Sequence, residues 1–217
     1  MKAVIRLAMS LLFLFGPAIG HTHDMHAGGL RVAVVLFEGV EEIDYAGPIE
    51  VFGASGAKVF TVGETTATVE SVWGLKVTPD YNFSNLPEVD VLLVPGGGVI
   101  KAWKNQKLLD WIKERSAHVK VVMSVCSGAF ILGKAGMLDG IPSTTTTVMR
   151  PQLAQHFPAT KVTNQRFVDA GKVITTAGLS AGIDGALYVV SKQLGQQQAE
   201  AAAKYMEYDW NPSSNSH

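Results

Sequence analysis

A chain of 217 residues fits one domain, of the larger α/β kind. Hydrophobic residues make up 47% and charged residues 17%, so a sizeable core is available. The formal net charge is −1, with no long run of like charge, which argues against the clustered Lys and Arg of a nucleic-acid footprint.

The chain opens with MKAVIRLAMSLLFLFGPAIG, in which Lys2 and Arg6 precede an apolar stretch from Leu7 to Phe15. Pro17 and the small residues Ala18 and Gly20 follow, which is the layout of a secretory signal peptide over 1–20. The apolar stretch is short for a bilayer span. This predicts export, with a periplasm as the destination, and no membrane association after cleavage. Residues 21–30 read as a flexible His-containing segment, 31–212 as the folded domain and 213–217 as a disordered tail. A cut after Gly20 would expose His21-Thr22-His23 with a free amine. That amine, two deprotonated amides and His23 can wrap Cu²⁺ or Ni²⁺ in a square plane, with His21 alongside. The alternative is a plain flexible tail, and no metal is assigned.

RVAVVLF (31–37) is a continuous β-branched run, as in a strand covered on both faces. GPIEVFGAS (47–55) predicts a helix with Pro48 in its first turn, and AKVFTVG (57–63) a second strand. ATVESVWGLKVTPDYNF (67–83) alternates around Gly74 and predicts two short extended segments. DVLLVPGGG (90–98) is a buried strand running into glycines. Asn105 can cap a helix to about Ser116 with Leu108 and Ile112 on one face. VKVVMSV (119–125) is the next buried strand, and a helix after Cys126 stops near Gly136. GKVITTAG (171–178) is extended. Ser180 can cap a helix carrying Ile183, Leu187, Val190 and Leu194, with Gly195 as its stop, and a last helix runs to about Met206. Buried strands alternating with helices predict a three-layer α/β/α sandwich with a mostly parallel central sheet. Sites in such sheets lie beyond the carboxyl ends of the strands.

Three such ends carry chemistry. Cys126 is the only cysteine and sits between a strand and a helix, the setting of a nucleophile elbow. The following helix would aim unpaired N–H groups at the sulfur, which predicts a thiolate of lowered pKa. PGGG (95–98) can present backbone donors with no Cβ in the way. It lacks the pattern of a nucleotide phosphate loop. In FEGVEEIDYAGPIEVF (37–52), Asp44 lies between Ile43 and Tyr45, so it is expected to be partly desolvated. A carboxyl held near a thiolate has a raised pKa and can move protons.

FEGVEEIDYAGPIEVF, DVLLVPGGG, SVCSGAFILGKAGMLDG, TTAGLSAGIDGALYVVSKQLG and MEYDWNP, in that order, resemble the ThiJ/PfpI superfamily, of the flavodoxin-like, class I glutamine amidotransferase-like fold. The likeness covers about 31–212 and is strongest to the isonitrile hydratase branch. The resemblance implies that Cys126 is the elbow nucleophile and Asp44 its acidic partner. It implies that Gly97, Gly98 and the N–H of Ser127 are donors near a small-molecule substrate, and that the chain forms a homodimer with the site near the subunit contact. One departure stands out: Thr146 and Thr147 occupy the positions where many relatives carry His and Trp. A Cys–His pair is therefore absent there, and protease, amidase and glyoxalase-like chemistry is disfavoured. His118 and His156 do not rescue it, and His217 is terminal.

The reading that results is a cofactor-free, exported hydratase that adds water to a small isonitrile through Cys126 and Asp44. The alternative is a stress or redox-responsive protein with an oxidisable cysteine. Transcriptional regulation, known for similar domains fused to DNA-binding helices, is set aside because the chain ends at His217, soon after MEYDWNP.

Overall fold

The computed structural model describes residues 29–212. The expected signal peptide over 1–20, the histidines at 21, 23 and 26, and the expected tail at 213–217 lie outside the described residues. In chain order the first half comprises β1 (Arg31–Val35), α1 (Glu42–Ala54), β2 (Lys58–Gly63), β3 (Val69–Glu70), β4 (Lys76–Val77), β5 (Tyr81–Asn82), β6 (Val91–Val94), α2 (Val99–Ala102) and α3 (Gln106–His118). The second half comprises β7 (Val121–Ser124), α4 (Gly128–Lys134), β8 (Pro142–Ser143), α5 (Arg150–His156), β9 (Lys161–Val162), β10 (Phe167–Ala170), β11 (Val173–Thr176), α6 (Ala181–Leu194) and α7 (Gln196–Tyr205).

Seven strands form the central sheet in the order β10-β11-β7-β6-β1-β2-β5. All neighbours run parallel except the β10–β11 hairpin. Because strand side chains alternate between faces, each apolar run feeds two cores. Ala33, Val35, Leu92, Val94 and Val122 point to the layer of α3, α4 and α5. Val32, Val34, Val91, Leu93 and Met123 point to the layer of α1, α6 and α7. The chain therefore has the three-layer α/β/α architecture that its continuous apolar strands imply.

Local readings differ from the structure at several places, among them the 67–83 segment, which holds three short strands rather than two. α1 begins at Glu42, not near Gly47, so Asp44 lies in the first helical turn rather than in a loop. The acids at 42 and 44 suit the positive end of a helix, and Pro48 is carried inside it. Asn105 caps α3 as expected, its side chain accepting from the Leu108 N–H at 3.3 Å. Ser180 occupies the corresponding position at α6 but makes no side-chain cap, and its hydroxyl accepts from Arg166 instead. Finally, the β10–β11 hairpin adds a strand that the sequence reading missed.

The α1–α6 contact brings Asp44 and the Gly178–Ser180 turn towards the sheet end. Gly182 makes that contact tight: a Cβ there would lie 2.9 Å from Val125 Cγ1 and 3.4 Å from Pro48 Cγ.

Candidate active site

Cys126 follows β7 with φ +55°, in the left-handed region that a non-glycine residue occupies only at a cost of about 1–2 kcal/mol. Two bonds hold this elbow. The Cys126 N–H donates to the Ala177 carbonyl at 3.1 Å, tying it to the segment after β11. The Thr145 hydroxyl donates to the Cys126 carbonyl at 2.7 Å. Cys126 as a residue is half-buried.

Asp44 comes from the α1 crossover and is fully buried. The end of β6 lies between the two crossovers, and there the Gly96 N–H donates to Asp44 Oδ2 at 3.0 Å. The carboxylate also faces the Cys126 thiol, and its Oδ1 is buried without a hydrogen-bond partner. Leu179, like Cys126, has a left-handed backbone, φ +56°.

Burial pushes the Asp44 carboxyl up to about 7, against the opposing Gly96 N–H; the nearby Glu41 charge adds to the rise. Burial also pushes the Cys126 thiol up to about 12, and the Asp44 charge adds to it. The Ser127 N–H and hydroxyl pull the other way without prevailing. This corrects the expectation of a resting thiolate. α4 is only seven residues long, and its end does not offset desolvation plus a neighbouring carboxylate. The pair is instead a protonated thiol beside a carboxyl group that changes state near neutral pH.

The glycine segment also differs from expectation. The Gly98 N–H donates to the Gly39 carbonyl at 2.6 Å, and the Gly97 N–H donates to Ser127 Oγ at 3.1 Å. Both amides are engaged within the protein, so they are not free substrate donors. The amide of this segment that meets the pair is that of Gly96. The Ser127 N–H lies at the sulfur, and its hydroxyl accepts from the Gly97 N–H. Thr146 is half-buried and belongs to the site wall. A Cβ on Gly178 would lie 2.7 Å from Thr146 Oγ1 and 3.5 Å from Cys126 Sγ. His118 and His156 are exposed, His156 packing edge-on to Trp103, so neither joins the thiol. Among the described residues no cluster of three or more His, Cys, Asp or Glu is placed to hold a metal.

Sequence reasoning missed Thr145 and Gly96 as members of the site. Gly96 acts through its backbone amide, which leaves no side-chain signal. Thr145 was hidden in a run of four threonines.

A partly exposed cysteine on a left-handed elbow, paired with a buried acid across the end of a parallel sheet, defines a class of α/β proteins. The chain belongs to the DJ-1/PfpI family, whose model matches residues 30–192. It is 33% identical over 181 residues to the isonitrile hydratase of Pseudomonas putida, covering 82% of this chain and 78% of that protein. The crystal structure of a ThiJ/PfpI family protein from Pseudomonas syringae superimposes with a TM-score of 0.79 at 35% identity, covering 96% of this chain and 85% of that one. The Parkinson disease protein 7 homolog of Danio rerio is 25% identical over 184 residues, covering 81% of this chain and 94% of that protein.

Proposed function

We propose that this protein is an exported isonitrile hydratase-like lyase in which Cys126 is the nucleophile and Asp44 the proton carrier. The observation that carries the reading is the buried Asp44 carboxyl, held by the Gly96 N–H and facing the only thiol of the chain. The similarity to the Pseudomonas putida enzyme supports the choice of substrate.

The pair suits an electrophile whose one carbon accepts both sulfur and hydrogen. An isonitrile carbon is such a centre. The Asp44 carboxylate takes the thiol proton as sulfur bonds to the terminal carbon, then returns that proton to the same carbon. The product is a thioimidate, R–N=CH–S–Cys126. Water adds to this carbon while Asp44 moves its proton on to nitrogen. The carbon–sulfur bond then breaks, the thiol regains its proton, and an N-substituted formamide leaves. Every atom is supplied by isonitrile, water and protein, so no cofactor enters. A pKa near 7 lets Asp44 serve as both base and acid at neutral pH. Thr146, whose hydroxyl borders Gly178 as the sulfur does, stands where many relatives carry an imidazole, and it would shape the pocket rather than share the proton.

Incubation with a simple alkyl isonitrile tests the reading. Formamide should accumulate, and Cys126→Ala should abolish it. No formamide from protein whose Cys126 is intact thiol would overturn it. Export and a homodimer belong to the same proposal. The hairpin of β3 and β4 supports the dimer: it exposes Trp73 (78%) and Leu75 (57%) beside the α1 entry, pinned there by Glu41 and Glu42. Sequencing the amino terminus of the exported protein and measuring its mass in solution check the two points.

A second reading has its own support. The partly exposed Cys126 and the likeness to the Danio rerio protein favour an oxidisable cysteine with little or no hydratase activity. Mild peroxide followed by mass measurement separates the two: a stable gain of two oxygens on Cys126 without isonitrile turnover favours the second.

A further inference from the structure

We propose that Trp103, Lys104, Lys134, His156 and Phe157 form a second binding site, separate from the Cys126 site, for a small anion with a flat apolar body, of the class of aromatic carboxylates. The inference stands whether or not the protein hydrates isonitriles.

These residues, with Gln106, line a cavity of about 490 Å³, a size that suits a small molecule. Its place follows from the elements that leave the Cys126 site. α2 starts after Gly98 and ends at Trp103. α4 starts after Ser127 and ends at Lys134. The chain after Thr146 runs through α5 to His156 and Phe157. The cavity therefore lies at the far ends of these elements. The length of α4 alone sets about 10 Å between the elbow and Lys134.

The floor is aromatic. Trp103 and Phe157 are half-buried, and both pack on the buried Phe130, with ring centroids at 5.9 Å and 6.1 Å. The His156 ring meets Trp103 at right angles, 5.2 Å away. Neither neighbour is stacked on the indole, so a flat ring can be. Phe157 reaches its place because α4 carries Gly133 there: a Cβ would lie 2.7 Å from two carbons of the Phe157 ring. Glycine is disfavoured inside a helix, and the seat it makes for Phe157 accounts for it.

The rim is cationic. Lys104 and Lys134 are exposed, and among the described residues neither has an ion pair. No Asp or Glu lines the cavity. The acid bonded to a lining residue is Asp110, which accepts from Gln106 Nε2 at 2.8 Å. Ammonium groups over aromatic surface match a ligand with a negative end and an apolar body: the lysines take the charge and the rings take the body. A neutral ring would leave the lysines unused, and a bare inorganic anion would leave the rings uncovered. The Cys126 site has the opposite character, since Glu41 and Asp44 face it with negative charge. An organic anion is repelled there and held here.

The test is fluorine NMR of the protein labelled with 5-fluorotryptophan, titrated with indole-3-acetate. The four tryptophans give separate signals, and Trp103→Phe identifies the one that matters. That signal should move and saturate with a Kd on the order of 1 mM, the scale of a ligand this size with modest fit. Lys104→Ala and Lys134→Ala, both surface changes, should each weaken binding about 3- to 5-fold, as for a solvent-exposed ion pair. Neutral indole-3-acetamide should bind about 5-fold more weakly or worse, and added salt should weaken the acid alone. Binding should survive alkylation of Cys126. A Trp103 signal that stays still up to ~10 mM acid, well above that Kd, overturns the proposal. So does equal affinity for acid and amide, or an unchanged Kd in the Lys104→Ala/Lys134→Ala double variant. Loss of binding on alkylation would put the acid at Cys126 and overturn it as well. Formamide production bears on none of these outcomes.

Discussion

The Asp44 carboxyl and the Cys126 thiol face each other from different crossovers, over the end of the strand that separates β1 from β7. Both are desolvated, so both resist charge, and they settle far apart, about 7 for the acid and about 12 for the thiol. The acid is therefore the group that titrates near neutrality.

That displacement has a consequence for stability. Asp44 is raised from 3.8 in the unfolded chain to about 7 in the fold. Between those values the folded protein binds the extra proton, so this group makes stability fall as pH rises through the window. The loss amounts to a few kcal/mol, at ~1.4 kcal/mol per unit of pKa. Asp90 and Asp169, whose pKa values are lowered, contribute with the opposite sign, so the difference between proteins is the informative quantity. Asp44→Asn should gain stability over the wild type between pH 5 and pH 8, measured by urea unfolding at each pH.

Gly96 has no room for a side chain. A Cβ there would lie 2.6 Å from Ser127 Oγ, 2.7 Å from the Ser127 nitrogen and 2.8 Å from Asp44 Oδ2. Two of these atoms belong to Ser127, one of them backbone, and the third is the working pair's own carboxylate. Gly96→Ala should cost about 1–3 kcal/mol of stability through overpacking. It should also lower formamide production about 100-fold, the usual scale for losing a placed proton carrier.

The elbow depends on Thr145. Its hydroxyl is the donor to the carbonyl of a residue held at φ +55°. Thr145→Val keeps the shape and removes the donor. Unfolding free energy should drop by about 1–3 kcal/mol, the penalty for an unsatisfied buried carbonyl. Thr145→Ser should restore most of it. Thermal or urea unfolding of the two variants checks both statements.

The legible parts of the fold were those with one physical cause. Val32 to Leu36 and Val91 to Val94 are apolar on both faces because helices cover both, and they read directly as buried strands. The edge strand β10 was not legible, since Asp169 and the neighbouring Arg166 serve side-chain bonds outside the core. The start of α1 was obscured because Glu41, Glu42 and Asp44 look like a solvated loop until the hairpin of β3 and β4 binds the first two and the end of β6 the third. In the site, Cys126 could be placed from its position between a strand and a helix. Its ionisation could not, because that depends first on how deeply the thiol itself is buried and then on the nearby Asp44 charge, both set by tertiary packing rather than by any local pattern.

The alkylation of Cys126 as a function of pH, in the wild type and in Asp44→Asn, tests the central claim most directly. The wild type should show a rise in rate with a midpoint near 7, where the Asp44 carboxylate becomes available to take the thiol proton. Asp44→Asn should lose that step and react only as the pH climbs towards the range of the thiol itself. A midpoint near the ordinary thiol value of ~8.5 that is unmoved by the substitution would contradict the account.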